Sequence, residues 1–436
     1  MRGTARTAAG MLFAATLAGL GHRVLRITQQ PSWPPGPDAV TSAAAQQAVE
    51  AFVAPDAGPR AAALPFAWST AAAIEPWVDG ERFFPRVFAD IEAARSSVHV
   101  LMFGWREGEV GMRMASLLED KLAAGLEVRI IVDGLGSRPY AQAREMFGSL
   151  AAAGAQIVVN DVLPPVRHGL YPHAELDWRP GHLGRADHRK LYVIDGQVAW
   201  TGGAGIEDHF ADGRFHDVMV RVTGDVVRQA QAAFLTSFHG HGGPPAPDLA
   251  RLFPEPEERG ATPVALTQVI PGGFVAATLA LREQIDRARE RIDVMNPYLT
   301  DDDAIGRLVA AARRGVKVRI VVARKSNNAL AAAALRHRYA ELTNAGAEVW
   351  ELPGTVVHAK VLIADDVVCF GTVNLDAWAL YRNSEIMMLA SDRETAERFE
   401  ERLFAPDIDR SERAEPPSTL KARATSALGD RLRYFL

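Results

Sequence analysis

Two stretches of the chain share one pattern of apolar and polar positions. In each stretch, apolar residues at helical spacing lead to a glycine, and a nearly continuous run of β-branched residues follows. Gly125 and Gly315 stand where a helix C-cap is expected, and an apolar run without polar alternation is typical of a strand covered on both faces. Helices that alternate with such strands predict an α/β layered sheet. The apolar helical positions are Met114, Leu117, Leu118 and Leu122 in the first stretch and Leu308, Ala311 and Ala312 in the second.

The chain repeats itself over two halves. Residues 94–100 resemble residues 288–294, residues 124–132 resemble residues 314–322, and a strand that begins with a histidine follows in the same order. The predicted organisation is an apolar segment with a Pro/Ala-rich linker at 1–64, lobe 1 at 65–245, a linker at 246–262, lobe 2 at 263–405 and a tail at 406–436. The sequence leaves open whether the tail docks on the body or touches a membrane.

The N-terminus carries a short apolar segment. Arg2 and Arg6 precede uncharged residues 7–21. Because this stretch is shorter than the roughly 20 residues that span a bilayer, it predicts a signal sequence or a short membrane anchor, with a frayed or surface-lying helix as the alternative. We therefore expect the protein to be membrane-associated, through this segment or through peripheral contact.

Lobe 1 contains an insertion that lobe 2 lacks. The distance from the repeat glycine to the histidine is 63 residues in the first half and 43 in the second. Most of the difference lies within 161–187, directly before the histidine strand, which predicts a loop over the substrate. Aromatic residues in and near lobe 1 are candidates for a lipid entrance, with ordinary half-buried positions as the alternative. They are Trp105, Tyr140, Tyr171 and Trp178.

Composition and charge exclude several classes of protein. The net charge of −5 provides no broad basic field of the kind that nucleic-acid binders carry, so no nucleic-acid partner is expected. Cys369 is the only cysteine, so no intrachain disulfide is possible, and no Cys/His spacing indicates a metal site. We expect no cofactor.

Lysine is rare in this chain, and two of the six lysines stand in a repeated motif. Each follows a histidine by two residues and precedes an aspartate by five. Lysine is a compact point charge that arginine does not replace freely at a tight anion site. The pattern H-x-K-x-x-x-x-D therefore indicates chemistry in both halves. The candidate catalytic residues are His188, Lys190 and Asp195 in lobe 1 and His358, Lys360 and Asp365 in lobe 2.

The spacing within the motif separates two roles. On a strand, residues two apart point to one face, so each histidine shares a face with its lysine. Asp195 and Asp365 have the wrong parity and fall at turns between two apolar runs, so we expect them to fix the turn or a neighbouring group. Two halves related by a pseudo-twofold axis bring both His–Lys pairs around one phosphodiester. The lysines then hold the phosphoryl oxygens, one imidazole attacks phosphorus and the other protonates the leaving oxygen.

Each reacting imidazole also needs a carboxylate on its other nitrogen to set the tautomer. Asp217 follows His188 by 29 residues and Glu385 follows His358 by 27, at matching positions of the repeat. These two carboxylates are the candidates, each for the histidine of its own half.

The doubled motif resembles that of the phospholipase D superfamily, over about residues 75–405. In that family the motif is followed by Gly-Gly-x-Asn or Gly-Ser-x-Asn. Lobe 2 matches with Gly371-Thr372-Val-Asn374, whereas lobe 1 has Gly202-Gly203-Ala-Gly205, with glycine in place of the asparagine. Thr372, Asn374 and Gly203 are therefore candidate substrate-binding positions. The runs Asp187-His188-Arg-Lys190 and Asn296-Pro-Tyr298 are similar to the bacterial cardiolipin synthase branch.

The resemblance implies two pseudo-twofold-related lobes, each a mixed β-sheet flanked by helices, with the active site at their interface. It also implies a phosphatidyltransferase that moves a phosphatidyl group between glycerol hydroxyls through a phosphohistidine. His188 is then the nucleophile and His358 the general acid and base. The partners are a phosphatidylglycerol-like substrate and a membrane surface, and the oligomeric state is open. The alternatives are a hydrolytic phospholipase D, a metal-independent nuclease and a non-enzymatic lipid-binding protein.

Overall fold

The computed structural model of the protein describes residues 68–137, 141–160, 186–246, 248–271 and 275–433. The N-terminal apolar segment lies outside the described residues, as do Tyr140, Tyr171, Trp178 and most of the lobe 1 insertion. The described part is built from two mixed β-sheets flanked by helices, which confirms the predicted fold class. No helix among the described residues has the length and apolar character needed to cross a membrane.

The sheet of lobe 1 has seven strands in the order β2-β9-β7-β6-β3-β4-β5. Strands β3, β4 and β5 run parallel, and β6 joins β3 antiparallel at the centre of the sheet. The parallel strands are joined by helices, as such connections require. The strands are β2 (Ala73–Val78), β3 (Ser97–Met102), β4 (Glu127–Asp133), β5 (Gln156–Asn160), β6 (Lys190–Ile194), β7 (Val198–Gly202) and β9 (Val218–Thr223).

The sheet of lobe 2 repeats this order in its seven inner strands and adds one strand at each edge, giving β1-β10-β17-β16-β15-β11-β12-β13-β18. The added strands are β1 (Trp68–Ala71) and β18 (Glu412–Arg413). Strand β1 belongs to the predicted first lobe by sequence but pairs with β10, so the predicted boundary at residue 65 does not hold for it. The inner strands are β10 (Thr262–Val269), β11 (Arg291–Met295), β12 (Lys317–Ala323), β13 (Glu348–Leu352), β15 (Val361–Ala364), β16 (Val367–Gly371) and β17 (Glu385–Ser391).

The helices cover the sheets and end where the sequence predicts. Gly125 and Gly315 have φ of 84° and 93°, the left-handed conformation of a helix C-cap, and Asp301 caps the helix before Gly315 by accepting from the Ala304 N–H at 2.9 Å. The helices are α1 (Gly80–Glu92), α2 (Glu109–Ala123), α3 (Ala141–Ala152), α4 (Asp208–Ala211), α5 (Val226–Gly240), α6 (Ala276–Arg287), α7 (Asp302–Arg313), α8 (Ala329–Asn344), α9 (Ala377–Tyr381), α10 (Arg393–Phe399), α11 (Ala405–Arg410) and α12 (Leu420–Leu432).

The two lobes share one apolar core. One cluster of buried apolar residues has members from both sheets and from α5, which packs against β6 of lobe 1 and β10 of lobe 2. A two-stranded parallel sheet, β8 (Phe215–His216) with β14 (Val356–Val357), also crosses between the lobes. Burial of this apolar surface fixes the orientation of the lobes. The tail, which the sequence left open, docks on the body, since α12 packs against α8.

Candidate active site

The two histidine motifs occupy equivalent places in the two sheets. Lys190 begins β6, and Lys360 directly precedes β15, the equivalent strand of lobe 2. His188 and His358 lie two residues earlier, on the same side as their lysines. Both lysines are 2–3% exposed, so their charges lie inside the protein. A buried ammonium group is costly unless anionic groups surround it. Carboxylates are therefore expected close to both lysines.

Asp195 and Asp365 lie at the opposite ends of these strands, about 16 Å along the strand from the lysines by strand geometry. Both have positive φ, 54° and 52°. Asp195 accepts hydrogen bonds from the backbone N–H groups of residues 95–97, and Asp365 accepts from those of residues 289–291. The turn prediction is therefore confirmed. The prediction that these two residues are catalytic was wrong, because their carboxylates bind the start of the neighbouring strand.

The carboxylate partners of the two histidines are exchanged between the lobes. His188 Nδ1 lies 2.9 Å from Glu385 Oε1, and His358 Nδ1 lies 2.7 Å from Asp217 Oδ2. The two predicted carboxylates are present, but the prediction that each serves its own half was wrong. Both carboxylates are fully buried. Each reactive imidazole is thus oriented by the other lobe, and the site exists only at the interface.

Backbone pairing between the lobes produces this exchange. The His188 N–H donates to the Ser384 carbonyl at 2.9 Å, and the His358 N–H donates to the His216 carbonyl at 2.8 Å. Ser384 directly precedes Glu385, and His216 directly precedes Asp217. Each histidine segment therefore lies beside the chain that carries the opposite carboxylate, and the two hydrogen bonds follow from the register.

The positions after the motifs differ between the lobes in a way that suits each carboxylate. In lobe 2, the Thr372 hydroxyl donates to Glu385 Oε2 at 2.5 Å and accepts from the Ile386 N–H at 3.0 Å, so it fixes Glu385. In lobe 1 the equivalent residue is Gly203, where a Cβ would come within 2.4 Å of Asp217 Oδ1. Glycine therefore makes room for Asp217. Both predicted positions act on the carboxylates that hold the histidines.

Asn374 supplies a polar group without a partner. Its Oδ1 is buried and makes no hydrogen bond within the described part of the chain, and the residue is 6% exposed. A buried amide oxygen that lacks a donor is uncommon. This position matches the family asparagine, and an unpaired amide beside the motif is available to a ligand.

Burial and charge set the proton equilibria of the site. Burial lowers the pKa of Lys190 to about 8 and that of Lys360 to about 7. Burial and the two lysine charges hold the pKa of His188 well below its usual value and lower that of His358 to about 3. Burial raises the pKa of Glu385 to about 8. A neutral imidazole has a free lone pair, which nucleophilic attack requires.

Aromatic rings line the reactive groups. The ring of Phe103 lies 4.7 Å from that of His188 and 4.9 Å from Lys190 Nζ. The rings of Phe210 and Phe215 lie 5.2 Å and 5.5 Å from that of His358. These rings exclude water and strengthen the electrostatic interactions of the charged groups. No sequence pattern predicts these rings, because an isolated phenylalanine gives no signal of its place in the fold.

Trp105 is fully buried and packs against Phe147 with a ring separation of 5.3 Å. It is a core residue, and its proposed place at a lipid entrance was wrong.

A second buried network holds the segment before His188. Arg189 forms two hydrogen bonds to Asp187, of 2.7 Å and 2.6 Å. The Asp187 N–H donates to Asp133 Oδ2 at 2.7 Å, and the Asn160 amide donates to the same oxygen at 2.6 Å. Asn160 directly precedes the lobe 1 insertion, and Asp187 is at its end. The network therefore ties the ends of the insertion to the nucleophile candidate.

His216 forms a further cluster beneath the site. Its Nδ1 lies 2.8 Å from Asp79 Oδ1, and its Nε2 lies 2.7 Å from Asp407 Oδ2. Arg410 also binds Asp407. Burial opposes protonation of His216, but the two carboxylates outweigh it and raise its pKa to about 10. An imidazolium thus joins α11 to the end of β8, directly before Asp217.

Two lobes of the same topology, each contributing one His–Lys pair and the carboxylate for the other lobe's histidine, define an enzyme of the phospholipase D superfamily. A family model described as cardiolipin synthase, PLD-like domain, matches residues 87–237 and 281–405. The chain therefore belongs to this family of phospholipase D-like enzymes, which confirms the resemblance predicted from the motifs.

Individual relatives agree with this family. The cardiolipin synthase of Listeria monocytogenes is 28% identical over 359 residues, which cover 79% of this chain and 70% of the relative. The probable cardiolipin synthase YwiE of Bacillus subtilis is 27% identical over 349 residues, covering 78% of this chain and 66% of the relative. The crystal structure of the phosphatidylserine synthase of Haemophilus influenzae has a TM-score of 0.64 at 13% identity, covering 90% of this chain and 100% of that chain.

Proposed function

We propose that this protein is a phosphatidyltransferase of the cardiolipin synthase type. Its donor is a phosphatidylglycerol-like lipid, and its acceptor is a glycerol hydroxyl of a second lipid. The observation that carries the proposal is the exchange of carboxylates: His188 with Glu385 and His358 with Asp217 give two oriented imidazoles at one interface. Cardiolipin synthases among the relatives support the lipid substrate.

The first step transfers the phosphatidyl group to the enzyme. Glu385 accepts from Nδ1–H of His188, which leaves the lone pair on Nε2 for attack on phosphorus. A P–N bond forms as the P–O bond to the leaving glycerol breaks, and protonated His358 supplies the proton to that oxygen. Burial and the two lysine charges hold the pKa of His358 low, and the negative charge of the donor offsets the lysine charges. Lys190 and Lys360 stabilise the phosphoryl oxygens.

The second step reverses these roles. Neutral His358 removes the proton of the acceptor hydroxyl as its oxygen attacks phosphorus, and the P–N bond to His188 breaks. The free enzyme and the new phosphodiester result. A glycerol hydroxyl gives the transferase product and water gives phosphatidic acid, so a hydrolytic phospholipase D uses the same intermediate.

The experiment supplies phosphatidylglycerol vesicles to the purified protein and identifies lipid products by mass spectrometry. We expect a diphosphatidyl product and free glycerol, both lost in His188→Asn and His358→Asn. His337→Asn, on the exposed face of α8, is the matched control and keeps activity. Phosphatidic acid alone would replace transfer by hydrolysis. The same vesicles, sedimented, test the proposed membrane association.

A further inference from the structure

The space beside the lobe 1 motif is occupied by a carboxylate. Lobe 2 carries Asn374 after its motif, and lobe 1 carries Gly205 at the equivalent position. A Cβ at Gly205 would come within 2.8 Å of Glu207 Oε2, and one at Gly104 within 2.7 Å of the same oxygen. Glycine at both positions therefore makes room for the Glu207 side chain. Where lobe 2 carries the amide of Asn374, lobe 1 has no side chain, and the Glu207 carboxylate lies against the glycine.

Glu207 belongs to a small mixed cluster that reaches the surface. Its Oε1 lies 2.8 Å from Arg106 Nε, and its Oε2 lies 3.8 Å from His209 Nε2. The side chain of Glu207 is 13% exposed, whereas that of Arg106 is 46% exposed and that of His209 27%. The carboxylate therefore lies at the inner end of the cluster, and solvent reaches the outer end.

The cluster adjoins the reactive groups on both sides. Glu207 lies against Gly104, which directly follows Phe103, and the Phe103 ring lies 4.7 Å from that of His188 and 4.9 Å from Lys190 Nζ. The ring of His209 packs at 4.4 Å on that of Phe215, which also lies 5.5 Å from the ring of His358. The cluster therefore lies near His358, the residue that exchanges protons with the leaving oxygen and the acceptor hydroxyl in the proposed function.

A carboxylate at this place repels the phosphate but accepts hydrogen bonds from hydroxyl groups. Water and a monohydric alcohol have a single hydroxyl oxygen, which the transfer step uses. A polyol has another hydroxyl to offer. We propose that Glu207, in the space made by Gly104 and Gly205, accepts a hydrogen bond from the non-reacting hydroxyl of a polyol acceptor and so selects glycerol-type acceptors over simple alcohols. This inference rests on the proposed function.

The test offers phosphatidylglycerol vesicles together with equal concentrations of 1,2-propanediol and 1-propanol, and measures the ratio of the two phosphatidyl alcohols. We expect Glu207→Gln to lower the diol-to-alcohol ratio about tenfold, the value of one hydrogen bond to a charged group. A change that acts on every transfer, such as the loss of a charge near Lys190, alters both products alike and cancels in this ratio. Glu207→Asp, which withdraws the carboxylate, should lower the ratio in the same direction if the glutamine variant does not fold.

The matched control is Glu127→Gln. Glu127 also pairs with an arginine, Arg129 at 2.8 Å, and with a histidine, His99 at 3.3 Å. It stands at the start of β4, at the opposite end of the sheet from Lys190. It should leave the ratio unchanged. An unchanged ratio in both Glu207 variants, or an equal loss of every product, overturns the proposed selection by Glu207. The proposed function is then unaffected. A wild-type protein that makes no phosphatidyl product overturns the proposed function as well.

Discussion

His188 Nδ1 and Glu385 Oε1 lie 2.9 Å apart although 197 positions separate them in the chain. The carboxylate of Glu385 is held on its other oxygen by Thr372 and is fully buried. The same relation joins His358 to Asp217. Neither lobe can orient its own histidine, so the active site depends on the interface between them.

Replacing each carboxylate should disturb the histidine of the opposite lobe. In Glu385→Gln we expect the tautomer and pKa of His188 to change and those of His358 to stay, and in Asp217→Asn the reverse. Histidine ¹⁵N chemical shifts measure this directly. Each variant should lose about 10² to 10⁴ in kcat, the usual contribution of an oriented acid–base group. Shifts confined to the histidine of the same lobe would contradict the exchange.

A methyl group at Gly203 should disable the site without unfolding the protein. The added Cβ would meet both carboxylate oxygens of Asp217 at 2.4–2.5 Å, so Asp217 must move and His358 loses its alignment. We expect Gly203→Ala to lower kcat at least tenfold. Gly148→Ala is the matched control. Gly148 lies within helix α3, and apart from the backbone of that helix a Cβ there would have no atom within 4 Å. It should keep kcat and gain up to about 1 kcal/mol of stability.

The motif aspartates should matter for stability and little for catalysis. In Asp195→Asn and Asp365→Asn the backbone conformation is retained, because asparagine tolerates positive φ, but the carboxylate that receives three backbone N–H groups is lost. We expect each variant to lose about 1–3 kcal/mol of unfolding free energy, measured by urea denaturation. The value of kcat, measured well below the melting temperature, should stay within about twofold. A loss of several hundredfold in kcat in the folded variant would restore these residues to the catalytic set.

The His216 cluster predicts a pH dependence of stability. The folded pKa of about 10 lies above the usual 6.5. The stabilisation is therefore fully present below pH 6.5 and is lost as the pH rises through about 10. The difference in unfolding free energy between wild type and His216→Gln should be largest near pH 6 and shrink steadily toward pH 10.5. His337→Gln, on the exposed surface of α8, should show no such trend, and a constant difference for His216→Gln would refute the buried imidazolium.

Repetition in the sequence predicted most of the fold and the members of the site. The repeat glycines, the apolar runs and the two motifs were sufficient to place helices, strands and four reactive side chains. The alternation of side chains along the strand was sufficient to predict that Asp195 and Asp365 lie at turns. The register of the repeat also identified Asp217 and Glu385 as the carboxylates.

Other relations depend on tertiary contacts that no local pattern encodes. The exchange of Asp217 and Glu385 arises because Ser384 and His216 pair with the opposite lobe, and sequence spacing does not show which sheet edges meet. Strand β1 has no counterpart in the repeat, so its pairing with β10 was not visible. Glu207 lies two residues after Gly205, and no sequence pattern distinguished it. The backbone geometry shows that its carboxylate occupies the space beside Gly104 and Gly205.

The central claim is that both motifs act on a single phosphorus atom. Its most direct test is rapid acid-free quenching of the His358→Ala variant with a phosphatidylglycerol analogue that carries a good leaving group, followed by mapping of phosphorylated histidine by mass spectrometry. We predict one phosphatidyl group per chain, on His188, and no such group in the double variant Glu385→Gln, His358→Ala at the same quench time. Two groups per chain, or none on His188 while the substrate is consumed, would contradict it.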